Sequence, residues 1–113
     1  MVHNRNKLIN LFIGNAANAV LHRILENAIN DEAIAQRYVK EATTSLSLAK
    51  AYRKKIHPIS IPLPIKDSGY TQQKIIKKVK VELSLRIEKG YEHLDRALVE
   101  PFVKHLLQEA QVL

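Results

Sequence analysis

The chain has 113 residues, which makes one domain the default, and its 46% hydrophobic and 26% charged residues are ordinary for a soluble globular protein. It contains no Cys, which excludes disulfides, thiol nucleophiles, iron–sulfur clusters and Cys-based zinc sites and fits a reducing cytosol. The net charge of +7 is unevenly spread: nine bases and one acid, Asp67, lie between Lys50 and Lys80, so that this segment carries +8 and the remainder −1.

The first element spans about residues 4–28. Leu8, Leu11, Phe12, Ala16, Ala19, Val20, Ile24 and Leu25 recur at three- and four-residue spacing, which predicts a helix with a broad apolar stripe. Gly14 is a candidate kink, and the alternative to one helix is two shorter ones that meet there. Ile9 and Ile13 lie off the main stripe, so the start of this helix is expected to be covered on more than one side. "LINLFIGNAANAVL" superficially resembles a signal peptide, but Asn10, Asn15 and Asn18 interrupt it and the apolar pattern continues to Ile29. The run is too short and polar to span a bilayer, so the expectation is a cytoplasmic protein with no membrane partner.

A second helix is predicted from Asp31 to about Lys55. Asn30 is the expected N-cap, and Asp31 and Glu32 suit the positive end of the helix dipole. Ala35, Tyr38, Ala42, Leu46, Ala49 and Ile56 form its stripe, Arg53, Lys54 and Lys55 suit its negative end, and Pro58 disfavours helix at His57. These two elements make a helical hairpin over residues 1–57. The connector, residues 58–70, contains Pro58, Pro62 and Pro64 and reads as an extended strap with Ile59, Ile61, Leu63 and Ile65 on one side, closed by the turn-forming "KDSG".

"KIIKKVKVELSLRI", residues 74–87, fits two periods. Strict alternation from Lys78 to Glu88 suits a half-buried strand, which would turn Val79, Val81, Leu83, Leu85 and Ile87 to one side. As a helix capped by Thr71 and ended by Gly90, it gathers Ile75, Ile76, Val79, Leu83 and Ile87 on one arc. The span is long for a strand, and the proline strap is the only extended partner, so helix is favoured. That choice leaves Val81 and Leu85 on a second apolar strip, expected to be an oligomer interface. The last segment, residues 91–113, carries a helical stripe through Leu94, Leu98, Phe102, Leu106 and Val112; Pro101 either starts a new helix or kinks one. The C-terminal helical part thus covers residues 71–113, and the fold class is all-α, a bundle of about four helices with a proline-rich connector.

No catalytic chemistry is legible. His3, His22, His57, His93 and His105 make no H-x-x-x-H or H-E-x-x-H pattern, so no metal site is expected. Glu88, Glu92 and Asp95 lie among Lys89, Arg96 and Lys104 and read as a helix surface. The three glycines are too far apart for a phosphate loop, and no cofactor is expected. Arg53 and His57 resemble the R-x4-H signature of HEPN ribonucleases, but three residues separate them here and Pro58 follows at once.

The basic cluster carries the functional reading. Lys50, Arg53 and Lys54 share one helix face, Lys55 adjoins them, and Lys74, Lys77, Lys78 and Lys80 avoid the apolar arc of the third helix. If the two helices pack side by side, these eight residues form one nucleic-acid-binding surface, because Lys and Arg contacts to phosphates supply most non-specific affinity. Tyr52 and Tyr70 flank it, either to stack on bases or, respectively, to fill the core and cap a turn. "DEAIAQRYVKEATTSLSLAKAYRKKI" resembles the helical half of the zinc-ribbon subunit of archaeal ribonuclease P through Arg37, Tyr38, Val39, Ala42, Ala49, Tyr52, Arg53, Lys55 and Ile56. The resemblance covers residues 17–58, with a spacing about one turn longer, and the family's four-cysteine ribbon has no counterpart here. It implies an accessory ribonucleoprotein subunit that binds RNA and a protein partner without catalytic residues. The expectation is a non-enzymatic basic helical protein, associated with nucleic acid and foremost RNA; the alternative is a homo-oligomeric structural protein, such as a homodimer, joined through Val81 and Leu85.

Overall fold

The structure, a computed structural model, describes residues 5–56 and 63–113. The first part of the expected proline strap, residues 58–62, lies outside them, as does His57. Four α-helices make up most of the described residues: α1 Arg5–Ala28, α2 Glu32–Ile56, α3 Ile65–Glu88 and α4 Val99–Glu109, the last preceded by a 3-10 turn at Arg96–Leu98. No strand occurs among the described residues. The all-α expectation holds, and the ambiguous segment 74–87 is helical.

Helix α1 is the hub. It packs against α2, α3 and α4, whereas α2 makes no substantial packing contact with α3. This explains its near-continuous apolarity: Ile9 and Ile13, off the main stripe, are buried along with Phe12, Ala16, Val20 and Ile24. By length and composition alone α1 is long and apolar enough to cross a membrane, with an 18-residue window of mean hydropathy 1.2, but 61% of that window is buried inside the bundle. The apolar surface serves the core. No kink is needed at Gly14, which lies within one continuous helix.

Hydrogen bonds fix the directions. Asn18 Nδ2 donates to Ser45 Oγ at 2.7 Å and His22 Nε2 pairs with the Glu41 carboxylate, so residue numbers on α1 and α2 sum to a constant and the two run antiparallel. The buried His22 also contacts the Asn18 carbonyl through Nδ1 at 2.7 Å and lies 5.7 Å from the Tyr38 ring. Helix α3 starts beside the start of α1, where Arg5 pairs with Asp67 and that hydrogen bond raises the Arg5 pKa, so it runs parallel to α1. Helix α4 returns antiparallel, with Phe102 near Asn27 and Glu109 bound to Arg23 at 2.6 Å.

The helix ends are local chemistry. Asp31, not Asn30, caps α2, its Oδ1 accepting from Ile34 N at 3.1 Å. Helix α3 begins at Ile65 behind Pro64, six residues before the expected Thr71 cap, so residues 65–70 belong to the helix rather than to the connector. Pro64 has φ −52, ready to enter a helix, and Asp67 sits in the positive first turn. Thr71 is instead buried in the interior of that helix. Gly90, at φ 97, ends α3 as expected, with Gly90 N donating to Ile87 O and Tyr91 N to Arg86 O. Residues 91–95 are not helical, so the last helical segment is shorter than the periodicity suggested, and Glu92 and Asp95 do not lie on a helix. Asp95 Oδ1 accepts from Ala97 N at 2.9 Å. Pro101 is the third residue of α4, where its missing N–H has no intrahelical partner to lose; it starts the helix rather than kinking it.

Candidate nucleic-acid interface

Burial of Ile75, Val79 and Leu83 against α1 and α4 orients α3. With that arc inward, Lys80, Lys77, Lys74 and Lys78 fan across about 160° of the outward face, at roughly 100° per residue. All four are exposed. Lys74, Lys77 and Lys78 line a groove of about 560 Å³ between α3 and α1, with Tyr70, Val81 and Glu82 from α3 and Asn10 and Ile13 from α1. Tyr70 is 50% exposed, and the Lys74 ammonium lies 5.6 Å from its ring centroid. No acid occurs on α3 between Asp67 and Glu82, and both of these are held by arginines, Arg5 and Arg86 respectively. Lys80 is the exception on this face, paired with Glu100 of α4 at 3.4 Å.

The cations of α2 sit differently. Lys50, Lys54 and Lys55 are exposed. Arg53 is fully buried at 0% exposure, and this corrects its place in the expected nucleic-acid surface. Its Nε donates to the Gln111 carbonyl at 3.1 Å, and burial lowers the guanidinium pKa from its ordinary value without removing its charge. Gln111 occupies the left-handed position, φ 61, that closes α4, where Gln111 N bonds Gln108 O and Val112 N bonds Leu107 O. Arg53 therefore ties the end of α2 to the end of α4. Lys50 contributes to the field that holds the Glu109 carboxyl below its usual pKa, after the dominant Arg23 hydrogen bond. Lys55 lies 5.7 Å from the ring of half-buried Tyr52, which packs against the core.

The α2 and α3 sets do not merge by side-by-side packing, because both helices pack on α1 instead. The expected single surface of eight cations therefore loses Arg53 to the interior, and the side-by-side packing of α2 and α3 that it called for does not occur. Val81 and Leu85 are 50% and 45% exposed, as the helical reading required. Val81 lines the same groove as Lys77 and Lys78, so the apolar strip continues the lysine face rather than forming a separate one.

Some groove residues were not visible as candidates. Asn10 and Ile13 appeared only as members of an apolar helix. Arg96 and Lys104 were read as charge interleaved with carboxylates, yet they line an α3–α4 groove with Lys80 and Glu100. Among the described residues no group of three or more His, Asp or Glu gathers to hold a metal ion. No protein-family model, curated protein or solved structure matches this chain.

Proposed function

We propose that this protein is a non-enzymatic, cytoplasmic nucleic-acid-binding protein that engages RNA through the outward face of α3. The observation that carries the reading is the fan of Lys74, Lys77, Lys78 and Lys80 beside Tyr70 on one exposed helix face, with no intervening acid on that helix. A clustered positive field draws polyanions, and phosphate contacts of this kind dominate non-specific affinity. The resemblance of residues 17–58 to a ribonuclease P subunit supports RNA over DNA and a role beside a protein partner.

Fluorescence anisotropy with a structured RNA, a duplex DNA and heparin tests this at about 50 and 200 mM salt. If four lysines each neutralise one phosphate, affinity falls about 50- to 150-fold over that range. Binding that prefers nucleic acid to heparin and fails in K74E/K77E/K78E/K80E supports the reading. No binding at low salt overturns it.

A second reading rests on the exposure of Val81 and Leu85: self-association through that strip. Two copies meeting there bring their lysines together, so the contact strengthens as salt rises, opposite to nucleic-acid binding. Sedimentation of the wild type and of V81S/L85S decides it. A concentration-dependent mass that vanishes in the variant, without nucleic-acid binding, transfers the face to self-association.

A further inference from the structure

The α3 face does not end at its own lysines. The groove against α1 shares Lys77 and Val81 with a second concavity along α3, which contains Gln72, Gln73, Ile76 and Lys80. That concavity in turn shares Gln72, Lys80 and Glu100 with the α3–α4 groove of about 880 Å³, where Arg96 and Lys104 lie. Three adjoining concavities thus wrap α3 from one flank to the other. They place six cations in one band, Lys74, Lys77, Lys78, Lys80, Arg96 and Lys104, running across the helix rather than along α2.

The band's acids are already engaged. Glu82 pairs with Arg86 at 2.9 Å and Glu100 with Lys80 at 3.4 Å. Glu100 is 69% exposed at its side chain, so it competes with an incoming anion for Lys80 rather than forming part of the core. The aromatic content argues about the form of the ligand. Single-strand binders align several aromatic platforms for successive bases. Among the described residues Tyr70 is the one exposed aromatic beside the α3 lysines, and an ammonium group already lies near its ring. Double-stranded nucleic acid is held instead through its phosphates and sugars, which suits cations spread across α3 and its flanks with Gln72 and Gln73 among them.

Resting on the nucleic-acid reading above, we propose that the band from Lys74 to Lys104 is a double-strand backbone-binding surface, with Arg96 and Lys104 as its second flank and Glu100 as a built-in competitor. Anisotropy titrations with one sequence as RNA duplex, DNA duplex and single-stranded RNA, across a salt series, test it on wild type, R96Q/K104Q and E100Q. These positions are exposed, and circular dichroism checks that each variant keeps the helical signal. The expected results are duplexes bound more tightly than the single strand, a salt slope shallower by about 1.8 in R96Q/K104Q, and one steeper by about 0.9 in E100Q as Lys80 is released. A duplex preference in either chemistry supports the surface, and the two duplexes compared identify the backbone. Wild-type binding with an unchanged slope in R96Q/K104Q, or a single strand bound as tightly as the duplexes, overturns this proposal while leaving the α3 reading in place. No binding of any strand by the wild type overturns both.

Discussion

The two basic runs, residues 50–55 and 74–80, each hold four cations, and the chain uses them in opposite ways. On α2, Arg53 is buried against the Gln111 carbonyl and Lys50 contributes to the field around Glu109, so half the run is turned toward α4. On α3, three of the four lysines have no carboxylate partner among the described residues and face one groove. The lesson is that a cation's worth depends on what lies across from it. The number of cations is the same in both runs, but one serves in part as a tie between helices and the other, apart from the Lys80–Glu100 pair, is left to solvent.

The largest expected effect comes from breaking the tie. Arg53→Ala removes a buried guanidinium stem and leaves the Gln111 carbonyl without its donor, at a cost of about 3 kcal/mol in urea unfolding. Lys54→Ala, one residue away and exposed, is expected to stay within about 0.5 kcal/mol. Equal effects at the two positions would erase the contrast. Next is K74E/K77E/K78E/K80E, expected to weaken nucleic-acid binding at least about 100-fold at low salt while the thermal midpoint barely moves. A large stability loss there would mean that the α3 lysines also belong to the fold.

Smaller effects sharpen the picture at the α4 end. The Arg23 hydrogen bond holds the Glu109 carboxyl below its ordinary pKa of 4.5. A carboxyl depressed in the folded state stabilises above its unfolded pKa, and that contribution is lost as pH falls through the folded value. Arg23→Gln is therefore expected to cost about 1 kcal/mol at pH 7 and progressively less as pH drops below about 4.5, with both side chains partly exposed. Urea unfolding at several pH values checks this; a cost independent of pH would assign the loss to packing. Gln111→Gly relieves a left-handed backbone position without touching the carbonyl that Arg53 uses, and is expected to stabilise by about 0.5–1 kcal/mol, measured by thermal unfolding. Destabilisation there would mean that the Gln111 side chain itself takes part in the tie.

Much of the fold was legible locally. The apolar spacing of α1 and α2, the dipole-matched ends of α2 and the Gly90 stop follow from residues near one another in sequence, and they needed no partner to be read. The start of α3 was misread because "KDSG" has turn chemistry in isolation. Pro64 and the acid in the first turn were the opposing signal, and burial of Ser68 and Thr71 outweighed turn propensity. The α3 lysines were legible as a site, since a helix with Ile75, Val79 and Leu83 inward must turn them outward. Arg96 and Lys104 were not, because the nearby carboxylates masked them until α4 folded back beside α3.

The sequence by itself determined that the chain forms helices, roughly where they lie, and that its excess charge falls between residues 50 and 80, because period, capping and composition act over a few residues. Tertiary structure alone decided that α1 is the hub, that Arg53 is a tie rather than a contact, that the helices carrying the two basic runs pack on α1 rather than on each other, and that Val81 joins the lysine face. Those outcomes depend on which apolar stripe meets which. Such packing is a competition among long-range contacts that no local pattern records, and it alone fixes whether a given charge ends up against a carbonyl or in water.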